Sequence, residues 1–418
     1  MACGLQFQRL EYLAVLILSQ ISQSEGSLTM ADMVTVLWHM NTYTSAATDF
    51  MAVKNQITLN FNSNPQYRKD IKAWCKKNAL PVSMGIDWLA QDGLNKRNMR
   101  SAFTGLNSEQ RLNELEAAIG KARDWASKKM GIPNLVFVAP EYLFAQDGYR
   151  HLLPFDQIAT IKARLKTISK RYHQVLLFPG TVAFRQPIAD NSVKARVSLY
   201  EDINFWKAKK NDNLAQWVDS INREKIHKVA MRGPTFDMAQ NKLFAYLNGK
   251  KLMEYTKRGD FHEVTEQDAT GNEVYVPGKR TGRLEAFDRS FGTEICLDHN
   301  MGYAKASSTH YPDIHVIMSA AVKPKEENEG TQGHKPGKTG FVIHASSDKD
   351  YTGVVQWRDG KRSTVTSIWE SSTGYGGTLF GYKLSFNDKG SDQGLQGVQG
   401  KVAAMKQLYE SKGKPVVT

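Results

Sequence analysis

The chain has 418 residues, 41% of them hydrophobic, and carries 55 Lys and Arg against 42 Asp and Glu, a formal charge of +13. That supplies a large core and fits one big α/β domain with extensions as well as two domains. Three cysteines, Cys3, Cys75 and Cys296, are too few and too scattered for a disulfide framework or a zinc site, so a reducing compartment is expected.

The basic residues are spread along the whole chain with no arginine-rich block. A generally basic surface is expected rather than a dedicated nucleic-acid site. The apolar stretch Leu13–Leu18 is well short of the about 20 residues that span a bilayer. No clearly basic region precedes it and no small-residue cleavage site follows it cleanly. It reads as a packed amphipathic helix in a cytoplasmic protein without a membrane span, with secretion the alternative.

Residues 1–78 form an N-terminal helical extension in this reading, with apolar clusters in Leu10–Leu18 and Met30–Trp38. Pro81–Trp88 is taken as the first strand of the main domain, residues 79–370. A long helix opens at Asn107-Ser108, with Ser108 as N-cap. Leu112, Leu115, Ala118, Ile119, Ala122 and Trp125 recur at helical spacing, and Gly131-Ile132-Pro133 stops the run. The apolar strand Val136–Val138 follows at once and ends at Pro140-Glu141. Phe155–Tyr172 repeats the helical pattern with a basic last turn, and Val175–Phe184 is a buried strand and its continuation. Residues 185–240 turn mixed and aromatic, with Tyr200, Phe205, Trp206 and Trp217, and read as a lid-like insertion.

Asn241–Lys257 is a hairpin with an Asn-Gly turn, ending at a lysine, and Phe291–Cys296 is a strand ending at a thiol. Ile314–Ser319, Phe341–His344 and Gly353–Trp357 are further strands, the last turning at Arg358–Lys361. Pro324–Lys338, rich in Lys, Glu and Gly, reads as a mobile loop. Residues 371–418 read as a Gly-rich tail with a short helix near Val402–Tyr409.

A carboxylate, an ammonium and a thiol thus stand at three strand ends, in the order Glu141, Lys257, Cys296. A thiol attacks an amide or nitrile carbon as thiolate, which calls for a base; Glu141 is the candidate. Lys257 and the backbone N–H of Leu297, which follows the cysteine, would stabilise a tetrahedral oxyanion. These residue types cover every proton and charge of acyl transfer through a thioester, with neither metal nor organic cofactor.

The Pro-Glu strand end, the Asn-Gly hairpin running into Tyr255-Thr256-Lys257, and Glu294-Ile295-Cys296-Leu297-Asp298 resemble the three signature regions of the nitrilase, or carbon–nitrogen hydrolase, superfamily. The resemblance covers about residues 80–350. It implies a four-layer α-β-β-α sandwich, a Glu141-Lys257-Cys296 triad and a homo-oligomer. It also implies a second glutamate after the lysine, for which Glu263 is the match and Glu266 the alternative. Leu297-Asp298 after the cysteine is closer to amidase-like branches than to nitrile-hydrolysing ones. The 116 positions from Glu141 to Lys257 exceed the family's usual interval because of the 185–240 insertion. The substrate expected is a small amide or carbamoyl compound, or a peptide or protein side-chain amide. A rival from another class is a catalytically silent binding protein on the same scaffold, using its positive surface for an acidic partner. His299 and His344 could each pair with Cys296 in the papain manner, but neither has a papain-like sequence context.

Overall fold

The computed structural model describes residues 32–40, 42, 54–55, 57–77, 81–83, 85–86, 89, 107–144, 152–187, 200, 202–232, 237–259, 273–279, 281–308, 310–320 and 322–386. These fall almost wholly within one compact unit, Val34–Leu384; the other unit, Met1–Met33 with Ser385–Thr418, is described only at residues 32, 33, 385 and 386. In chain order the main elements are β1 (Met33–His39), α1 (Pro65–Lys77), α2 (Ser108–Lys128), β2 (Leu135–Val138), β3 (Leu153–Pro154), α3 (Phe155–Arg171), β4 (Val175–Phe178) and β5 (Thr181–Pro187). There follow α4 (Ile203–Ala208), α5 (Asp212–Arg232), β6 (Asp237–Leu247), β7 (Lys250–Thr256), β8 (Glu273–Tyr275), β9 (Gly282–Ala286), β10 (Arg289–Ile295), α6 (Leu297–Met301) and α7 (Tyr303–Ser307). The last are β11 (Ile314–Ser319), β12 (Thr339–Ser346), β13 (Gly353–Arg358), β14 (Lys361–Val365), β15 (Trp369–Ser372) and β16 (Thr378–Leu384).

The strands form two sheets in a mixed α/β fold. One runs β15-β16-β1-β2-β4-β6-β5-β3 with β7 and β8 also paired to β6; the other runs β14-β13-β12-β11-β10-β9. Strands β1, β2 and β4 are parallel neighbours, as are β10, β11 and β12. Alternation assigns their faces. Val34, Val36, Leu135, Phe137, Val175 and Leu177 join one core with Leu112, Leu115, Ile119, Ile161 and Leu165 of α2 and α3. From the opposite face Phe178 meets Phe291 of the second sheet at 6.1 Å between ring centroids. One layer of helices therefore covers the outside of the first sheet, and the second sheet packs on its inside.

Local chemistry accounts for the elements that position the site. All the periodic apolar residues of α2 are buried. Its N-cap is Asn107 rather than Ser108: the Asn107 side chain accepts from the Gln110 N–H, and Gln110 reaches back to the Asn107 N–H in a capping box. The β6–β7 hairpin turns on Asn248 and Gly249, with φ of 51° and 77°, the left-handed pair that a type I′ turn needs. Asp359-Gly360 turns β13 into β14 in the same way.

Besides the cap of α2, the structure departs from expectation in four places and shows the elements of the 185–240 stretch. Residues 33–39, assigned to the helical extension, are β1, and residues 378–384, assigned to the tail, are β16, its neighbour in the first sheet. A strand buried on both faces is apolar without alternation, so periodicity does not separate it from a helix segment. In Pro81–Trp88 the described residues Val82, Ser83, Gly85 and Ile86 are helical, not a strand. Within 185–240, α4 and α5 form a helical pair. Pro324–Lys338 is anchored rather than loose: Glu329, 2% exposed, accepts from Trp357 Nε1 at 2.7 Å and from Arg362 Nε and Nη2 at 3.0 and 2.9 Å. The helix expected near Val402–Tyr409 lies outside the described residues.

Arg362→Ala removes two of the three donors on that buried carboxylate and should cost about 1–3 kcal/mol, read as a lower urea midpoint at unchanged slope. Arg362→Lys should recover only part of it, because the two-pronged guanidinium contact is lost.

Candidate active site

Glu141 stands three residues beyond β2 and is fully buried. Its backbone is tied on several sides. Its N–H donates to Ser319 O at 3.4 Å, its carbonyl accepts from Thr42 Oγ1 at 2.7 Å, and the next N–H, of Tyr142, donates to Thr181 Oγ1 at 3.0 Å. Gly180 lies beneath this turn at φ 78°, where a Cβ would come within 2.4 Å of Pro140 O, so only glycine fits. The carboxylate accepts from Lys257 Nζ at 3.0 Å and Asn241 Nδ2 at 2.8 Å on Oε1, and from the Ala320 N–H at 3.2 Å on Oε2.

Lys257 follows β7 directly and is 1% exposed. Its N–H donates to Asn241 O at 2.9 Å, and its carbonyl accepts from Tyr275 Oη at 2.8 Å and the Gly278 N–H at 3.0 Å. Asp298 grips the chain on both sides of it, accepting from Tyr255 Oη at 2.6 Å, the Arg258 N–H at 2.8 Å and the Gly259 N–H at 3.0 Å. Burial pushes the Asp298 carboxyl up to about 7, against the pull of Lys257, Tyr255 and the two backbone donors. Burial, then the charges of Asp298 and Glu294, push the Tyr255 hydroxyl well above its ordinary range.

Cys296 directly follows β10, is 2% exposed and forms no disulfide. Its φ of 53° and ψ of −119° belong to a region that side-chain-bearing residues avoid, at a cost of order 1–3 kcal/mol. The chain turns there from strand into α6. The Cys296 N–H donates to Met318 O at 2.7 Å, and its carbonyl accepts from the His299 N–H at 3.0 Å. Met318, Ser319 and Ala320 are consecutive at the end of β11: the first holds Cys296 and the other two hold Glu141. One strand end thus brings together the buried carboxylate, its lysine and the thiol-bearing turn.

Leu297 is the first residue of α6, where a backbone N–H has no acceptor within its own helix. Glu263, Glu266 and Cys3 lie outside the described residues. His299 Nδ1 meets Glu294 and His344 Nε2 meets Ser319 Oγ at 2.7 Å, so each ring is engaged elsewhere. Phe205 and Trp206 of the insertion pack with Tyr303 of α7, and the Arg258 guanidinium, next to Lys257, lies 4.6 Å from the Phe205 ring centre and 4.2 Å from that of Tyr303. The hollow beside this sandwich, lined by Tyr255, Arg283 and Glu294 among others, includes none of Glu141, Lys257 and Cys296. Sequence reasoning gave no role to Asn241, Tyr275, Thr181 or Ala320, whose positions carry no motif of their own. Asp298 was visible two residues past the cysteine, but not its grip on the lysine turn.

No protein-family model matches the sequence, and no curated protein matches it. Among solved structures, the fold is similar to a CN-hydrolase superfamily protein of Xanthomonas campestris, at 11% identity and a TM-score of 0.38 over 75% of this chain and 94% of that one. It is also similar to an amidase from Nesterenkonia sp., at 13% identity and a TM-score of 0.33 over 66% and 85%. A cysteine-to-alanine mutant of the Nesterenkonia AN1 amidase from the nitrilase superfamily gives 12% and 0.34 over the same shares. Identities and TM-scores this low leave the functional reading to the site's own geometry.

Asp298→Asn turns one accepting oxygen into a donor among three donors and should cost about 1–3 kcal/mol in urea unfolding. A carboxyl raised on folding favours the folded state most below its ordinary value of 3.8 and loses that contribution as pH rises through about 7. The variant should lack this part of the wild-type fall in stability between about pH 4 and pH 8.

Proposed function

We propose that the chain is a cysteine-dependent hydrolase of non-peptide carbon–nitrogen bonds, built on a nitrilase-type four-layer α-β-β-α sandwich and acting as an amidase. The observation that carries this reading is the buried Lys257–Glu141 contact of 3.0 Å, made at the strand end that also anchors Cys296. A lysine and a glutamate at 1% and 0% exposure are far from where such residues ordinarily sit, and chemistry accounts for them better than stability does.

In the proposed reaction Glu141 accepts the thiol proton and the Cys296 thiolate attacks the carbonyl carbon of the amide. The oxygen becomes an anion beside the Lys257 ammonium and the Leu297 N–H. Collapse of this intermediate breaks the carbon–nitrogen bond. The leaving nitrogen takes the proton from Glu141, and a thioester to Cys296 remains. Water then gives a proton to Glu141 and attacks the thioester; the acid departs and the thiol recovers its hydrogen. Lys257 stays protonated throughout, so its contact with Glu141 both fixes the base and keeps a positive charge beside the developing oxyanion.

Ammonia release from a panel of small amides, carbamoyl compounds, nitriles and glutamine-containing peptides tests the reading. Wild type should release ammonia from at least one amide, Cys296→Ala should release none, and Lys257→Met and Glu141→Gln should each lose about 100-fold or more in kcat. Folded wild type inert on every class would sink it.

A further inference from the structure

Glu294, His299 and His315 meet in the interior, each at most 1% exposed on its side chain. Glu294 Oε1 accepts from the Ala304 N–H of α7. Glu294 Oε2 lies 3.0 Å from His299 Nδ1 and 2.9 Å from His315 Nε2, the latter off the line of a hydrogen bond. One carboxylate and two imidazoles whose ligand atoms lie within 4.8 Å of one another could suggest a metal site. The outer contacts argue otherwise. His315 Nδ1 accepts from the Gly330 N–H at 3.3 Å, so the ring hydrogen is on Nε2, and a nitrogen bearing hydrogen is no ligand.

His299 is constrained differently. Its Nε2 faces Lys325 O at 3.1 Å and its Nδ1 faces Glu294 Oε2, so both nitrogens meet acceptors and both must carry hydrogen. Burial alone would raise the Glu294 carboxyl, yet the close approach of His299 and His315 brings it down to about 2, which keeps it ionised opposite the His299 ring. His344, the further titratable group whose charge would act on these rings, is held down to about 3 chiefly by burial and stays neutral. Glu294 is two residues before Cys296 and His299 three after it.

We propose that Glu294 and His299 are positioning residues: a buried carboxylate–imidazolium pair that staples the chain across Cys296 and holds its backbone in the strained turn. The link to catalysis rests on reading Cys296 as the nucleophile; the pair's ionisation and its hold on the turn do not. Contacts on the far side of each group keep the staple from swivelling, through Ala304 and His315 for Glu294 and through Lys325 O for His299.

The first test is nitrogen-15 NMR of the imidazoles in the uniformly labelled full chain at neutral pH, beside its metal content after incubation with zinc. His299 protonated on both nitrogens, His315 with hydrogen on Nε2, and no bound zinc are expected. A neutral His299 or one zinc per chain would overturn the assignment. The second is amide hydrogen exchange in Glu294→Gln, or in His299→Gln if the first variant does not fold. Protection of the Cys296 and His299 amides should fall at least tenfold further than that of Leu115 in α2. Turn amides that change only in step with Leu115 would refute the staple. If the variants pass this test while wild type releases no ammonia, the hydrolase reading fails and the staple stands.

Discussion

The contact between Lys257 and Glu141 sets the terms for everything around it. Taking an ammonium and a carboxylate out of water costs several kcal/mol per ion, and their mutual attraction offsets this only with good geometry and further hydrogen bonds. Those are present: Asn241 and the Ala320 N–H on the carboxylate, and a lysine backbone held by Asn241, Tyr275 and Gly278. The partners come from the ends of β2, β7, β8 and β11 and from the middle of β6, in both sheets. A one-residue slip of any of these strands would turn its contributors to the opposite face. The pair thus ties the two sheets to a single arrangement.

What the sequence made legible follows from what has a local cause. The apolar stripe of α2 and the Asn248-Gly249 turn were readable because a helix face and a left-handed turn each impose their own residue pattern. Glu141, Lys257 and Cys296 stood out because each stands at the end of a predicted strand, in that order along the chain. β1 stayed hidden because burial on both faces erases alternation, and β16 because glycines surround it. Residues 324–338 looked solvent-bound by composition, since a charge is taken for exposed until its partner is known. Arg362 lies 33 positions from Glu329, beyond any local window. Asn241 shows the same limit at the site, where its role depends on a residue 100 positions away.

The two faces of the second sheet differ in kind. Phe291 turns toward Phe178 and the apolar interior between the sheets. On the other face, register sets Glu294 opposite Ile317 and Ile317 opposite His344, with His315 two residues earlier on β11. Around Ile317 that row carries the polar side chains of Glu294, His315 and His344, and it is covered by the short helices α6 and α7 and the turns around Lys325 and Gly330. Helices of five residues have little stability of their own. Directional bonds to buried side chains take the place of a long apolar stripe, and they fix which residue of each short helix meets the sheet.

The pairing of β1 with β16 has a consequence for how the protein is made. Trp38, in β1, donates through Nε1 to Thr373, 335 positions further along, just ahead of β16. On a ribosome adding about 5–20 residues each second, β1 would wait of the order of 20–60 s before that neighbour existed. During that time one edge of an apolar strand would lack its ladder partner, the kind of surface to which other nascent chains add. Whatever covers that edge during synthesis, whether a chaperone or a transient segment of the same chain, has to leave before residues 378–384 can dock. The slowest and most vulnerable phase of folding therefore falls at the pairing of β1 with β16, one strand to the side of the β2 that leads to Glu141.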